Sequence, residues 1–308
     1  MLTFDYSRLD SKQDTIVFWV DASFKIGGGH LGRCLALSAY ANKHNVQTIF
    51  ITTEKQTLKQ IGVAQNCILM LKSSNVICKA LKKLKMSFNI RCLVSDINYF
   101  TDLDGRREYL QFLRLVKDSG IYLVSIEVPE TDVHASDCVV IPYLGAEAIS
   151  YQNFSEGQFL LGSNYFFLKD DFMVVEKKLK IAASVDSIMI SMGSSDPEGI
   201  TLKILDAMVY IDENIHLDVV LGGMNQLNIH KVESHLEIYK GSWKIHKDIT
   251  NMAMLMNNVD LALCNNGLTR YELASLGVPT IFVSNNQKDV QFSDVFASFG
   301  SAYHLGWH

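Results

Sequence analysis

Three consecutive glycines, Gly27-Gly28-Gly29, stand between an apolar run, Thr15-Ile-Val-Phe-Trp-Val20, and a stretch at 31–40 whose apolar residues recur at helical spacing. A short apolar run bounded by turn residues reads as a buried strand, and the period after it reads as a helix packed on that strand. Strand, glycine turn and helix start form a Rossmann-like opening unit. It exposes backbone N–H groups and the positive end of a helix dipole at the carboxyl edge of a sheet. Gly27, Gly29 and Gly32 fit the dinucleotide fingerprint poorly, because no acidic residue ends a clear second strand. His30 falls at the helix start, where open α/β folds bind ligands. It reads either as a catalytic histidine or as an exposed residue capping the helix.

The alternation continues downstream. Strands are expected at 48–52, 90–96, 121–126 and 137–141, with helices at 75–85 and 104–118, while residues 1–14 read as a loose polar leader. The pattern breaks down between 143 and 175, which sets the expected domains at 1–160 and 161–308. The second half restarts with strands at 187–191, 217–221, 260–264 and 278–283. Its helices are expected at 198–211, opened by Pro197 and Glu198, at 246–256, and at 271–277. Strands alternating with helices imply an α/β class with parallel sheets.

Composition narrows the function classes. A net charge of −5 argues against sequence-independent nucleic-acid binding. The six cysteines include no C-x-x-C pair and read as reduced core thiols. No apolar run approaches a membrane span and no signal peptide opens the chain, so a cytoplasmic protein, a monomer or weak dimer, is expected.

Two turns in the second half each follow a strand and open a helix: Gly193-Ser194-Ser195 and Asn265-Asn266-Gly267-Leu268. Such a pair can hold a diphosphate on backbone N–H groups and hydroxyls without a basic residue. A Walker A lysine, metal-ligand spacing and a nucleophile elbow are all missing from the sequence, so no metal and no cofactor is expected. Glu272, in the first turn of its helix, reads as an acceptor for ribose hydroxyls or as an ordinary acid facing the helix dipole. Asn286 and Gln287 offer neutral amides to a sugar or base, or form a plain polar loop.

In combination, these segments resemble a known family. Val20-Asp-Ala-Ser and Ile26-Gly-Gly-Gly-His-Leu-Gly-Arg-Cys-Leu-Ala-Leu37 are similar to the opening of the UDP-2,4-diacetamido-2,4,6-trideoxy-β-L-altropyranose hydrolases of the pseudaminic acid pathway. Met192-Gly-Ser-Ser-Asp196, the stretch at 267–280 and Asn286-Gln287 match the same family in the same order. The wider relatives are glycosyltransferases of the GT-B fold. The resemblance implies two Rossmann-like domains facing across a cleft, a UDP-sugar substrate and no metal. It makes His30 the base on the attacking water and Asp96 the acid facing the sugar. The substrate contacts it implies are Gly28, Gly29, Arg33, Asn98, Tyr99, Gly193, Ser194, Ser195, Asn265, Asn266, Gly267, Leu268, Glu272, Asn286 and Gln287. Two departures stand out. Asn98, followed by Tyr99, occupies the family's aromatic position, and the family's acidic pair after the next strand is Glu127-Val128 here. The activity implied is release of UDP from an amino-deoxy sugar with inversion. Transfer of the sugar to a glycan acceptor, or nucleotide-sugar binding without turnover, are the alternatives.

Overall fold

The computed structural model of the chain describes residues 9–55, 57, 67–70, 76–97, 103–127, 136–148, 157–177, 181–211, 214–247, 249–287 and 290–307. Asn98, Tyr99 and Val128 lie outside the described residues. The chain divides into two compact units, the first ending at Phe167 and the second comprising Leu168 onward together with Gly27–Gly29.

The first unit is built on β1 (Asp14–Val20), β2 (Gln47–Thr52), β3 (Cys67–Met70), β4 (Asn89–Asp96), β5 (Tyr122–Ile126), β6 (Cys138–Ile141) and β7 (Gln158–Leu161). All pairings are parallel and the order is β3-β2-β1-β4-β5-β6-β7. Helices α1 (Gly29–Lys43), α2 (Ile77–Ser87) and α3 (Leu103–Asp118) connect them. A parallel sheet buries both faces, which is why β1 reads as a continuous apolar run rather than an alternation. Val17 and Trp19 face a cluster with Leu81 and Leu84 of α2 and Phe112, Leu113 and Val116 of α3. Trp19 meets Phe112 edge-on at 4.6 Å, while Phe18, next along β1, stacks on Phe50 of β2 at 5.1 Å.

The second unit repeats the plan with β8 (Ser187–Ser191), β9 (His216–Leu221), β10 (Trp243–Lys247), β11 (Leu261–Asn265), β12 (Thr280–Ser284) and β13 (Ala302–Trp307), in the order β10-β9-β8-β11-β12-β13. Its helices are α4 (Asp170–Val174), α5 (Ile200–Met208), α6 (Ile229–Leu236), α7 (Met252–Asn258), α8 (Thr269–Leu276) and α9 (Val290–Ser298). In both units the strand order reverses beside the first strand, between β1 and β4 and between β8 and β11. Open α/β sheets bind ligands at the carboxyl ends of the strands flanking such a point.

Four expectations change. Residues 9–14, read as part of a loose leader, are held against the first unit: Gln47 Nε2 donates to the Asp10 carbonyl at 2.7 Å, Leu9 packs on the core, and β1 starts at Asp14. The stretch taken as a break in the pattern contains β7, which pairs with β6 from Cys138↔Gln158 to Ile141↔Leu161. His246 belongs to β10 rather than to the helix after it, because residues 243–247 align with β9. Finally, α5 begins at Ile200, not 198, because Gly199 adopts φ +62° and a left-handed residue interrupts a helix. The Asp196 carboxylate then accepts the N–H groups of Ile200 at 2.8 Å and Thr201 at 3.0 Å. This side chain satisfies two of the donors that every helix start leaves open.

Asp196→Ala removes that cap. We expect a loss of about 1–2 kcal/mol in stability, read as a lower urea midpoint with an unchanged m-value.

Candidate functional site

In the first unit, four segments bring charged and polar side chains to the carboxyl edge of the sheet. His30 is the second residue of α1 and Arg33 lies one turn later, on the same helix face. Asp96 ends β4, Glu127 follows β5, and Tyr143 follows β6. Arg33 lies at the centre of this cluster. Its Nε donates to Asp96 Oδ2 at 2.6 Å and its Nη2 to Asp96 Oδ1 at 2.6 Å, a two-point clamp on one carboxylate. Nη1 donates to Glu127 Oε1 and to the Tyr143 hydroxyl, both at 2.6 Å, and Nη2 lies 2.9 Å from Glu127 Oε2. His30 Nδ1 sits 2.8 Å from Asp96 Oδ1.

Burial decides the roles. The Arg33 side chain is 2% exposed and Asp96 0%, whereas His30 keeps 18%. The resemblance implies a substrate contact for Arg33; in the structure its guanidinium is engaged by protein acceptors, and the Asp96 carboxylate is engaged by His30 and Arg33. Burial pushes the Asp96 carboxyl up, but the Arg33 guanidinium, and then His30, hold it well below the usual carboxylate range. Burial likewise works against the Arg33 cation, yet Asp96 and Glu127 outweigh it and hold the guanidinium protonated. Burial, and then Asp96, push the Cys34 thiol well up, so it stays neutral and donates to Asp96 Oδ2 at 3.6 Å.

An ionised Asp96 accepting from Nδ1 leaves the lone pair on Nε2, the arrangement of a general base. Gly28 precedes α1 and Gly29 opens it. Gly27 is left-handed at φ +83°, which brings the chain sharply from β1 into the helix. Glu127 enters the sequence reading only through the resemblance, as the remaining acid of the family's pair, and Tyr143 does not enter it. Glu127 shares with Asp96 the signal of an acid ending an apolar strand; Tyr143 carries none.

In the second unit the expected turns flank the reversal of strand order. Asn265 joins them: its Nδ2 donates to the Met192 carbonyl at 3.0 Å and its Oδ1 accepts from Gly267 N at 3.2 Å. Its amide is thus engaged in shaping both turns rather than free for substrate. Gly193 has φ +77°, and a Cβ there would stand 2.8 Å from Asn265 Nδ2, so this position needs glycine twice over. Behind the turn, a Cβ on Gly222 would fall 2.4 Å from the Gly193 carbonyl, and Met224 N donates to the Ser194 carbonyl at 2.9 Å.

The Ser195 side chain is buried, whereas Ser194, Asn266, Gly267 and Leu268 remain partly open. Asn266 Oδ1 accepts from Asn285 N at 3.3 Å, tying in the loop where Asn286 and Gln287 are exposed. Asp196 already takes two amides at the start of α5. Glu272 stands in the first turn of α8; burial raises its carboxyl, and Lys169 offsets this only in part. Among the described residues, no group of three or more His, Cys, Asp or Glu side chains could hold a metal ion.

Two pH-linked outcomes follow from these shifts. The folded Asp96 carboxyl is depressed, so its pairing contributes stability that is complete above the unfolded value of about 3.9 and is lost as pH falls through the folded value. Asp96→Asn should be less stable at neutral pH and should lack that acid limb, measured as urea midpoints from neutral to acid pH. Glu272 has the opposite sign. Its charged form is disfavoured in the fold, so stability falls as pH rises through the raised value. Glu272→Gln should therefore raise the neutral-pH melting temperature.

No protein-family model matches the chain. Over 300 residues, 94% of this chain, it is 27% identical to the uncharacterized protein MJ1062 of Methanocaldococcus jannaschii, and it spans about 60% of that protein's length. It is 22% identical to the spore coat polysaccharide biosynthesis protein SpsG of Bacillus subtilis, over 94% of this chain and 82% of SpsG. Among solved structures, MurG of Acinetobacter baumannii superposes with a TM-score of 0.64 at 14% identity, covering 96% of this chain and 86% of MurG. UGT2 of Phytolacca americana gives 0.61 at 9% identity, with 96% and 86% coverage. The calicheamicin glycosyltransferase CalG4 gives 0.54 at 12%, also with 96% and 86% coverage. Two Rossmann-like units with these neighbours establish the GT-B fold.

Proposed function

We propose that this protein is a sugar-nucleotide enzyme that transfers a glycosyl group from a UDP-sugar to a hydroxyl acceptor in polysaccharide biosynthesis. The observation that carries the reading is the pairing of His30 Nδ1 with the buried Asp96 carboxylate at 2.8 Å, which leaves Nε2 to act as base. The place of SpsG in spore coat polysaccharide biosynthesis supports the pathway class, and the neighbour UGT2, solved with UDP-2-fluoroglucose and pterostilbene, supports the substrate class. The acceptor hydroxyl gives its proton to His30 Nε2 as its oxygen attacks the sugar's anomeric carbon. The bond from that carbon to the diphosphate breaks, and UDP leaves with the electron pair. The turns at 193–194 and 266–268 offer backbone N–H groups to the charge that grows on the diphosphate. Glu272 accepts from the ribose hydroxyls.

A second reading, hydrolysis of the same class of donor, is favoured by the stretch at 26–37, with water taking the acceptor's place. The two differ only in what occupies the acceptor position, since the base and the leaving group are the same.

The test is nucleotide release from a panel of UDP-, CMP- and GDP-sugars, followed by NMR with and without a glycan acceptor. Transfer predicts slow release until acceptor is added; rapid release from donor alone selects hydrolysis. His30→Asn should cut turnover by on the order of 10²–10⁴-fold while leaving UDP affinity by calorimetry near wild type. Turnover at the wild-type rate in that variant would remove His30 from the chemistry.

A further inference from the structure

Arg33 Nη2 carries two hydrogens, and three atoms able to accept them lie within reach. Asp96 Oδ1 is 2.6 Å away, Glu127 Oε2 2.9 Å and His30 Nδ1 2.9 Å. A guanidinium only donates, whereas an imidazole nitrogen either donates or accepts according to its tautomer. When Asp96 and Glu127 take both hydrogens, nothing from Arg33 is left for His30. Nδ1 can then keep its own proton and donate to Asp96 Oδ1, and every Arg33 N–H has an acceptor. With Glu127 absent, one hydrogen on Nη1 and one on Nη2 would lose their acceptors in a buried site. The remedy within the cluster is for Nδ1 to give up its proton and accept from Nη2, because an unsatisfied buried donor is costly. The ring's proton then sits on Nε2.

We infer that Glu127 is a positioning residue that sets the tautomer of His30 by outcompeting it for the Arg33 Nη2 hydrogen. The effect of Glu127 on His30 passes through Arg33, whose Nη2 lies 2.9 Å from both Glu127 Oε2 and His30 Nδ1. Its backbone bears the same mark of constraint, since it is left-handed at φ +56°, a conformation that side-chain-bearing residues seldom adopt. The Glu127 N–H donates to the Val140 carbonyl at 2.9 Å, which pins that turn to β6 and aims the carboxylate at Arg33. The role in turnover rests on the reading of His30 as the base; the tautomer itself does not.

Two measurements test it. The first is long-range proton–nitrogen NMR of the histidine rings in the ligand-free protein, with His30 assigned by its loss in His30→Asn. Wild type should show His30 protonated on Nδ1, and Glu127→Ala should move the proton to Nε2. Glu127→Gly repeats the experiment in a variant whose left-handed backbone is unstrained, so a folding defect in the alanine variant does not end the test. Tyr143→Phe removes only an acceptor of Nη1 and should keep the wild-type tautomer. The second measurement is turnover. Both Glu127 variants should lose kcat by on the order of 10²-fold or more with KM little changed. A wild-type His30 already protonated on Nε2, or a Glu127→Gly variant that keeps Nδ1–H, overturns the inference. A moved tautomer with unchanged kcat upholds the assignment and instead refutes His30 as the base.

Discussion

The guanidinium of Arg33 is the interaction on which the carboxyl edge of the first sheet depends. It ties α1 to the ends of β4, β5 and β6 through Asp96, Glu127 and Tyr143. Alone, any of these charges would be untenable at that depth; together they satisfy one another. Removing one member of such a buried set generally costs about 3–5 kcal/mol, because the partners left behind stay desolvated. The same contacts keep a carboxylate ionised behind a histidine. Under the proposed function, stability of the cluster and readiness of the base are therefore one property, set by one side chain.

The second unit meets a different demand with neutral groups. Under the proposed function, the turns after β8 and β11 answer the charge of a diphosphate with backbone N–H groups instead of lysines. Asn265, Gly193 and Gly222 fix the turn geometry, and Asp196 takes two amides at the start of α5. Glu272 is the exception, a carboxyl raised by burial and held at some expense to the fold.

Much of the architecture was legible because parallel sheets write themselves into sequence. Strands such as 16–20 and 187–191 are buried on both faces and appear as apolar runs, and glycine or asparagine turns punctuate their carboxyl ends. β10 and β7 escaped that reading. Lys244, His246 and Lys247 lie toward the sheet edge where polar side chains reach water, and Gln158-Phe-Leu-Leu161 is too short to show a period. The start of α5 escaped because Pro197 and Glu198 have the chemistry of a first helical turn, while the left-handed Gly199 after them decides otherwise.

By itself the sequence determined the strand–turn–helix order, the place of His30 at a helix start, the acid ending β4, and the glycine turns of the second half. Each of these is local, written in residues adjacent along the chain. Only the tertiary structure decided that Arg33 faces inward, that Glu127 and Tyr143 share it with Asp96, and that Asn265 holds both turns. Those contacts join residues 63, 94, 110 and 73 positions apart, and no local pattern encodes which donor meets which acceptor. The physical reason is directional. A hydrogen bond depends on where a side chain points once the strands have aligned, and the strands align to bury apolar surface, which has no direction.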